Sequence, residues 1–248
     1  MFLNELQAAA EQANIRFKAT DFRQNIQFND VQLEQFNKFY NMVIEWNKKF
    51  NLTAIIDPKD FAIKHIIDSI SIWNDEKFSN VETMIDVGTG AGFPGIPLKI
   101  YKPHIKITLL DSLTKRVNFL TAVIDELSIT NAVAIHSRAE DAAHNPKFRA
   151  NFDIATSRAV AKLNILAEYC MPFVKIGGYF VALKGSNLAD ELTESSRAIK
   201  ILGGDEVEVI ELELPNGDPR NLIYIKKITA SPKKFPRKAG TPEKKPLT

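Results

Sequence analysis

The chain has 248 residues, 45% of them hydrophobic and 25% charged, with a formal net charge of +2, which is the balance of an ordinary globular protein and excludes a disordered or collagen-like one. No apolar run approaches the roughly 18 residues of a membrane span, and the first fifteen residues hold two glutamates and no basic residue, unlike a secretory signal, so a cytoplasmic protein is expected. Cys170 is the sole cysteine and His65, His104, His136 and His144 show no ligand spacing, which excludes an intrachain disulfide and argues against metal.

Residues 1 to about 75 read as helical. Asn29 or Asp30 can cap a helix whose apolar positions Leu33, Phe36, Phe39, Tyr40, Val43 and Trp46 form one stripe at the helical period. Asp57-Pro58 is a second start signal, and Phe61, His65, Ile66, Ser69, Ile70 and Trp73 continue along one side. His65 reads as a packed or surface residue rather than a ligand. Together these predict a helical layer over residues 1–78.

From residue 82 onward, short β-rich runs alternate with helical stretches, the pattern of a parallel sheet with crossover helices. Strands are expected at 83–87, 105–110, 132–136, 152–157 and 178–184, and helices near 96–101, 115–127, 139–143, 162–173 and 188–202. Two further runs, 206–214 and 222–228, flank Pro215-Asn216-Gly217-Asp218-Pro219 and read as an antiparallel hairpin. The expected fold is therefore α/β: a doubly wound, mostly parallel seven-stranded sheet over residues 79–230, ending in an antiparallel strand.

The remaining segment, 231–248, forms a basic tail. Eight basic residues against Glu243 lie between Lys226 and Thr248, so the rest of the chain is mildly acidic. Such a segment reads as an electrostatic arm for nucleic acid, carried by Lys233, Lys234, Arg237 and Lys238, or as a solvated appendage. As an arm it would be separable from any small-molecule site.

The segment Met84-Ile-Asp-Val-Gly88-Thr-Gly90-Ala-Gly92-Phe-Pro-Gly95 sets a strand, a glycine-rich turn and a helix start in the order nucleotide-binding sheets use. The second strand ends at Asp111, the spacing at which a carboxylate meets ribose hydroxyls, so an adenosyl ligand is expected. Gly90-Ala-Gly92-Phe-Pro-Gly95 formally satisfies the dinucleotide fingerprint, a weak match. Asp86-Val-Gly88-Thr-Gly90-Ala-Gly92 equally resembles the first motif of class I S-adenosylmethionine-dependent methyltransferases. The terminal hairpin favours the latter, whose Rossmann-like sheet also ends in a reversed strand.

Longer strings sharpen the likeness. Asp86 to Leu98, Leu110-Asp-Ser-Leu-Thr-Lys-Arg116, Ser137-Arg-Ala-Glu140, Ser157-Arg-Ala-Val-Ala161, Asn51-Leu-Thr53, His65-Ile-Ile-Asp-Ser69 and Pro236 to Pro246 resemble the glucose-inhibited division protein B family, also called RsmG. The resemblance implies a bacterial enzyme that takes S-adenosyl-L-methionine and methylates N7 of one guanine in the decoding region of 16S ribosomal RNA, on the RNA or the small subunit. It also implies that Gly88 and Phe93 contact the cofactor and that Ala139 with Glu140 frames the adenine.

The residues themselves narrow the chemistry. The fourth strand ends Asp153-Ile-Ala-Thr-Ser157-Arg158, without the Asn/Asp-Pro-Pro-aromatic loop that exocyclic amine methylation calls on. Cys170 lies in an apolar helical run and reads as core, not as the nucleophile that pyrimidine C5 methylation needs. Guanine N7 carries a free lone pair and needs no base, so positioning suffices. Arg138, Arg158 and Arg220 fall just beyond strands or at the hairpin turn. Arg158 is expected to position the cofactor's methionine carboxylate or the guanine edge, and Arg138 and Arg220 to contact RNA. A nicotinamide-dependent oxidoreductase and a non-catalytic RNA-binding protein remain as rival readings, and oligomeric state is unreadable, with a monomer slightly favoured.

Overall fold

Two long helices, α1 (Phe2–Ala19) and α2 (Asp30–Asn47), open the computed structural model, which describes residues 1–22, 24–158, 161–185 and 188–248. Ala159 and Val160 of the string that runs from Ser157 lie outside the described residues. Asn29, not Asp30, caps α2: its side chain accepts from Gln32 N at 2.9 Å while the Gln32 side chain accepts from Asn29 N at 3.0 Å, a reciprocal box that satisfies two orphan donors. The Gln32 amide also donates to the carbonyls of Ile100 and Tyr101, which ties the cap to the sheet unit. A third helical run starts at α3 (Pro58–Phe61), widens through a π-helical segment (Ala62–Ile67) and ends in α4 (Asp68–Ile70). Asp57 accepts from Lys59 N and Asp60 N, the expected N-cap.

The sheet unit follows as β1 (Thr83–Val87), α5 (Gly95–Tyr101), β2 (Lys106–Asp111), α6 (Thr114–Glu126), β3 (Ala132–His136), α7 (Ala139–Ala142), β4 (Phe152–Ser157), α8 (Leu163–Cys170), a 3-10 turn (Met171–Phe173), β5 (Val174–Lys184), α9 (Ala189–Ile201), β6 (Gly204–Glu213) and β7 (Pro219–Lys227). Spatial order is β3-β2-β1-β4-β5-β7-β6, with β1 to β5 parallel and β7 antiparallel to both of its neighbours. This is the class I methyltransferase sheet: five parallel strands and a reversed strand inserted before the last one. Strand order reverses at the β1/β4 boundary, where the carboxyl ends of neighbouring strands open a crevice.

Alternate residues of the central strands face opposite layers. Met84 and Leu109 join a core with Leu6, Phe17, Phe36 and Phe61 of the N-terminal helices, so that layer and the sheet bury one another. Ile85, Leu110 and Ala155 join the second core with Leu166, Cys170 and Phe180. Strand β5 begins four residues earlier than Gly178, where it was expected. A register shift against β4 absorbs the Gly177-Gly178 pair, and at Gly178 a Cβ would stand 2.4 Å from the Asp153 carbonyl oxygen.

The basic tail is not a free arm. It folds back on α8 and ends near the short helix α10 (Thr241–Lys244), with Phe235 buried in the second core and Leu247 packed against it. Arg237, expected to meet RNA, instead holds the fully buried Glu168 carboxylate through Nε at 2.9 Å and a terminal nitrogen at 2.7 Å. Lys227 is buried as well, and burial pulls its ammonium down to about 7. A carboxylate at the centre of the second layer needs a cation, and the tail brings the one that meets it. Lys233, Lys234 and Lys238 stay exposed.

Candidate active site

The carboxyl ends of β1, β2 and β4 border a cleft of about 430 Å³ whose lining includes Val87, Gly88, Asp111, Arg138, Ala139, Glu140, Ser157 and Tyr169. The glycine loop meets it through Gly88. Gly88 and Gly90 sit at φ +71 and +62, and a Cβ on either would meet nothing within 4 Å. Gly92 and Gly95 differ: a Cβ there would strike Ile96 at 2.7 Å and Leu109 at 2.3 Å. Half of the glycine pattern therefore serves internal packing, and the other half leaves open space above the loop.

Asp111 closes β2 with both oxygens engaged: Oδ2 accepts from Gly90 N and Oδ1 from Leu113 N, each at 2.9 Å, with Arg116 at 3.5 Å. The residue that faces the cleft thus also holds the glycine loop in shape. Asp86 is wholly buried. Its Oδ2 accepts from Thr89 Oγ1 at 2.7 Å and Gly95 N at 2.9 Å, Oδ1 has no partner, and burial raises its carboxyl to about 6. Ser157 Oγ donates to the Val87 carbonyl at 2.8 Å and so ties the ends of β4 and β1 together.

A second, wider cleft of about 690 Å³ lies alongside, lined among others by Lys64, His65, Asp68, Arg158, Lys184 and Arg220. Ala161 lines both clefts. The helical layer and the sheet meet here through charge. Asp68, 3% exposed, takes Arg220 Nε on Oδ1 at 2.8 Å and Arg158 on Oδ2 at 3.4 Å. Arg158 also donates to the Lys64 carbonyl at 2.9 Å and to His65 Nδ1 at 3.1 Å, and lies 4.8 Å from the centre of the Phe93 ring.

These contacts assign the imidazole. Arginine has only donors, so Nδ1 of His65 accepts and Nε2 carries the proton, donating to Thr53 Oγ1 at 2.8 Å. Burial, helped by the adjacent Arg158 cation, holds His65 neutral, with its pKa pulled down to about 3. The ring stacks on Phe93 at 4.1 Å between centroids.

Of the expected site residues, Gly88, Asp111, Arg138, Ala139 and Glu140 gather on the narrower cleft, and Arg158 and Arg220 on the wider one. Arg138 thus shares a cleft with Asp111 and stands apart from Arg220. Gly90 and Phe93 are not among the residues that line the narrower cleft; Phe93 is 5% exposed, and its ring is the platform beneath His65 and Arg158. The residues missed are His65, Asp68, Ser157 and Tyr169. The available signal was the His65 to Asp68 spacing, which sets two polar groups on the buried side of an apolar helix. Cys170 is fully buried and its thiol is pushed well up by burial, so it supplies no nucleophile. Among the described residues no cluster of His, Cys, Asp and Glu can hold a metal ion, and no helix is long and apolar enough to cross a membrane.

Comparison with known proteins places this geometry. The family GidB, described as rRNA small subunit methyltransferase G, matches residues 32–222. A ribosomal RNA small subunit methyltransferase G of Clostridium botulinum (strain Alaska E43 / Type E3) is 52% identical over 198 residues, 79% of this chain and 83% of that protein. Another, from Leuconostoc mesenteroides subsp. mesenteroides, is 51% identical over 200 residues, 80% of this chain and 84% of that protein. With the loop, the reversed strand and these relatives in agreement, the chain belongs to the GidB family of small-subunit rRNA methyltransferases.

Proposed function

We propose that the two clefts form one active site, with S-adenosylmethionine in the narrower and the target guanine in the wider, and that the methyl group goes to N7 of a guanine in the decoding region of 16S ribosomal RNA. The enzyme is an S-adenosylmethionine-dependent rRNA methyltransferase. Its substrate is the RNA or the small subunit, met in the cytoplasm by what we take to be a monomer.

The residues fit the cofactor. Gly88 and Gly90 carry no Cβ to fill the space at the loop, and Asp111 ends β2 at the cleft with its carboxylate among the lining groups. When bound, S-adenosylmethionine supplies an electrophilic methyl on a sulfonium. Gly88, Gly90, Asp111, Ala139 and Glu140 would hold it. The chain's own task is to place guanine N7 in line with that methyl and exclude water.

Nothing in the site needs to remove a proton. N7 attacks with its in-plane lone pair, so that pair must stay free of donors in the reactive complex. Guanidinium donors from Arg158 or Arg220 can therefore engage O6 of the guanine, not N7. Their orientation is set in advance by Asp68 and His65, which lowers the cost of ordering two long side chains around the base. Lys233, Lys234 and Lys238 remain candidate phosphate contacts.

The observation that carries this reading is the open space over Gly88 and Gly90 beside an arginine-lined cleft that shares Ala161 with it. Titrating the protein calorimetrically with S-adenosylmethionine, S-adenosylhomocysteine and NADH tests it. Binding of the first two and not of NADH is expected; NADH binding would favour an oxidoreductase, and RNA binding without either adenosyl ligand a non-catalytic protein.

A further inference from the structure

We infer that the C-terminal segment beyond β7 is a cofactor-binding element: it forms one wall of the narrower cleft and holds Glu140 in place there. The inference rests on that cleft being the cofactor's. The segment lies outside residues 32–222, the part the family match covers.

Two of its residues, Gly240 and Glu243, line the cleft together with Gly88, Asp111 and Glu140. Gly240 N donates to Glu140 Oε1 at 3.2 Å, a bond across 100 residues of sequence. Glu243 accepts from the Tyr169 hydroxyl at 3.4 Å, so the segment and α8 meet at the cleft's rim. Gly240 sits at φ +76, and a Cβ there would have nothing within 4 Å. Gly240, like Gly88, thus lines the cleft at a position where a Cβ would meet no neighbour, from a different part of the chain.

The anchoring is too extensive for an arm that swings out to reach RNA. Arg149 donates to the carbonyls of Ser231, Pro232 and Phe235 at 2.8 to 3.1 Å. His144 bonds the Pro236 carbonyl at 2.8 Å, and Asn164 the Leu247 carbonyl at 3.0 Å. Arg237 completes the set with the buried Glu168, which would be left an unpaired charge if the segment lifted. Phe235, 4% exposed, fills a pocket of the second core. These contacts fix the backbone at Gly240 and so fix Glu140.

Gly240→Asn tests the inference, because asparagine tolerates a left-handed backbone while its side chain enters the open space. Calorimetric titration with S-adenosylhomocysteine, needing no RNA, should show affinity reduced at least about tenfold with the melting temperature of the apoprotein unchanged. Hydrogen exchange on the wild-type protein gives a second measurement free of any mutation: S-adenosylhomocysteine should slow deuterium uptake between Arg237 and Glu243. Wild-type affinity in Gly240→Asn, or uptake there that ignores the ligand, overturns the inference and returns the segment to an RNA-binding or structural role. Should the wild-type protein itself fail to bind S-adenosylhomocysteine, the cofactor reading of the cleft falls, and this inference with it.

Discussion

Arg158→Lys separates the two tasks that the structure gives one side chain. The guanidinium donates to Lys64 O, His65 Nδ1 and Asp68, and covers the Phe93 ring. A lysine keeps the charge but cannot span three acceptors in a fixed plane. At least one buried acceptor, most directly His65 Nδ1, loses its donor at about 1 to 3 kcal/mol, and the weakened ring contact adds up to about 1 kcal/mol. Asp68 keeps Arg220, which limits the loss. The sum is about 1 to 4 kcal/mol, or a melting temperature lower by roughly 2 to 15 °C for a chain of this length. Because Arg158 lies on the wider cleft, S-adenosylhomocysteine affinity should stay within about twofold, while single-turnover methyl transfer at saturating cofactor falls by more than tenfold. Urea or thermal unfolding, calorimetry and a single-turnover assay measure the three quantities. An unchanged melting temperature would refute the claim that Arg158 locks the helical layer to the sheet, and an unchanged rate would remove it from the reaction.

Further substitutions probe the narrower cleft and the buried histidine. Asp111→Ala should weaken cofactor binding by about 1.5 to 3 kcal/mol, the cost of losing bonds to a charged acceptor, and should also loosen the glycine loop it holds; calorimetry showing wild-type affinity would take Asp111 out of the site. At Gly90 a Cβ would meet no neighbour, so Gly90→Val should cost mainly the backbone strain of about 1 to 3 kcal/mol in stability yet abolish measurable cofactor binding, and retained binding would take Gly90 out of the site. His65 is neutral when folded, with a pKa of about 3 against an ordinary 6.5, so the unfolded chain binds the proton more readily between these values. Its contribution is complete above about pH 6.5 and is lost as pH falls toward 3, up to about 5 kcal/mol. Asp86, raised to about 6, acts in the opposite direction over part of that range, so the comparison to make is with His65→Gln, which bonds alike without titrating. The stability gap between the two proteins should shift in favour of the variant from pH 7 to pH 4, and a gap independent of pH would mean that His65 is not held neutral.

What could be read from the chain follows the range of the interactions. Strands β1 and β4 carry their own signal, because buried parallel strands are runs of mostly apolar residues, and Asn29 and Asp57 announce helix starts through contacts two or three residues away. Asp111 was legible for the same reason, since it ends a strand next to a glycine loop. His65 and Asp68 were passed over because their partners, Arg158 and Arg220, lie 93 and 152 residues on. The packing of the Phe93 ring on Phe39, Phe61 and His65 of the helical layer is likewise something no local pattern reveals. The tail's path was not legible from its charge. Its lysines dominate the composition, while Phe235 and the ion pair of Arg237 with Glu168, 69 residues away, determine where it lies.

The central claim is the reaction, and it is tested most directly by reconstituting it. Small subunits from cells lacking this protein are incubated with the purified enzyme and isotopically labelled S-adenosylmethionine, and the 16S RNA is digested and its nucleotides mapped by mass. The account predicts one new methyl group, on a guanine of the decoding region, in a form that borohydride and aniline cleave as N7-methylguanosine. A methyl group on an exocyclic amine or on a pyrimidine, or no transfer from a protein that binds the cofactor, would contradict it.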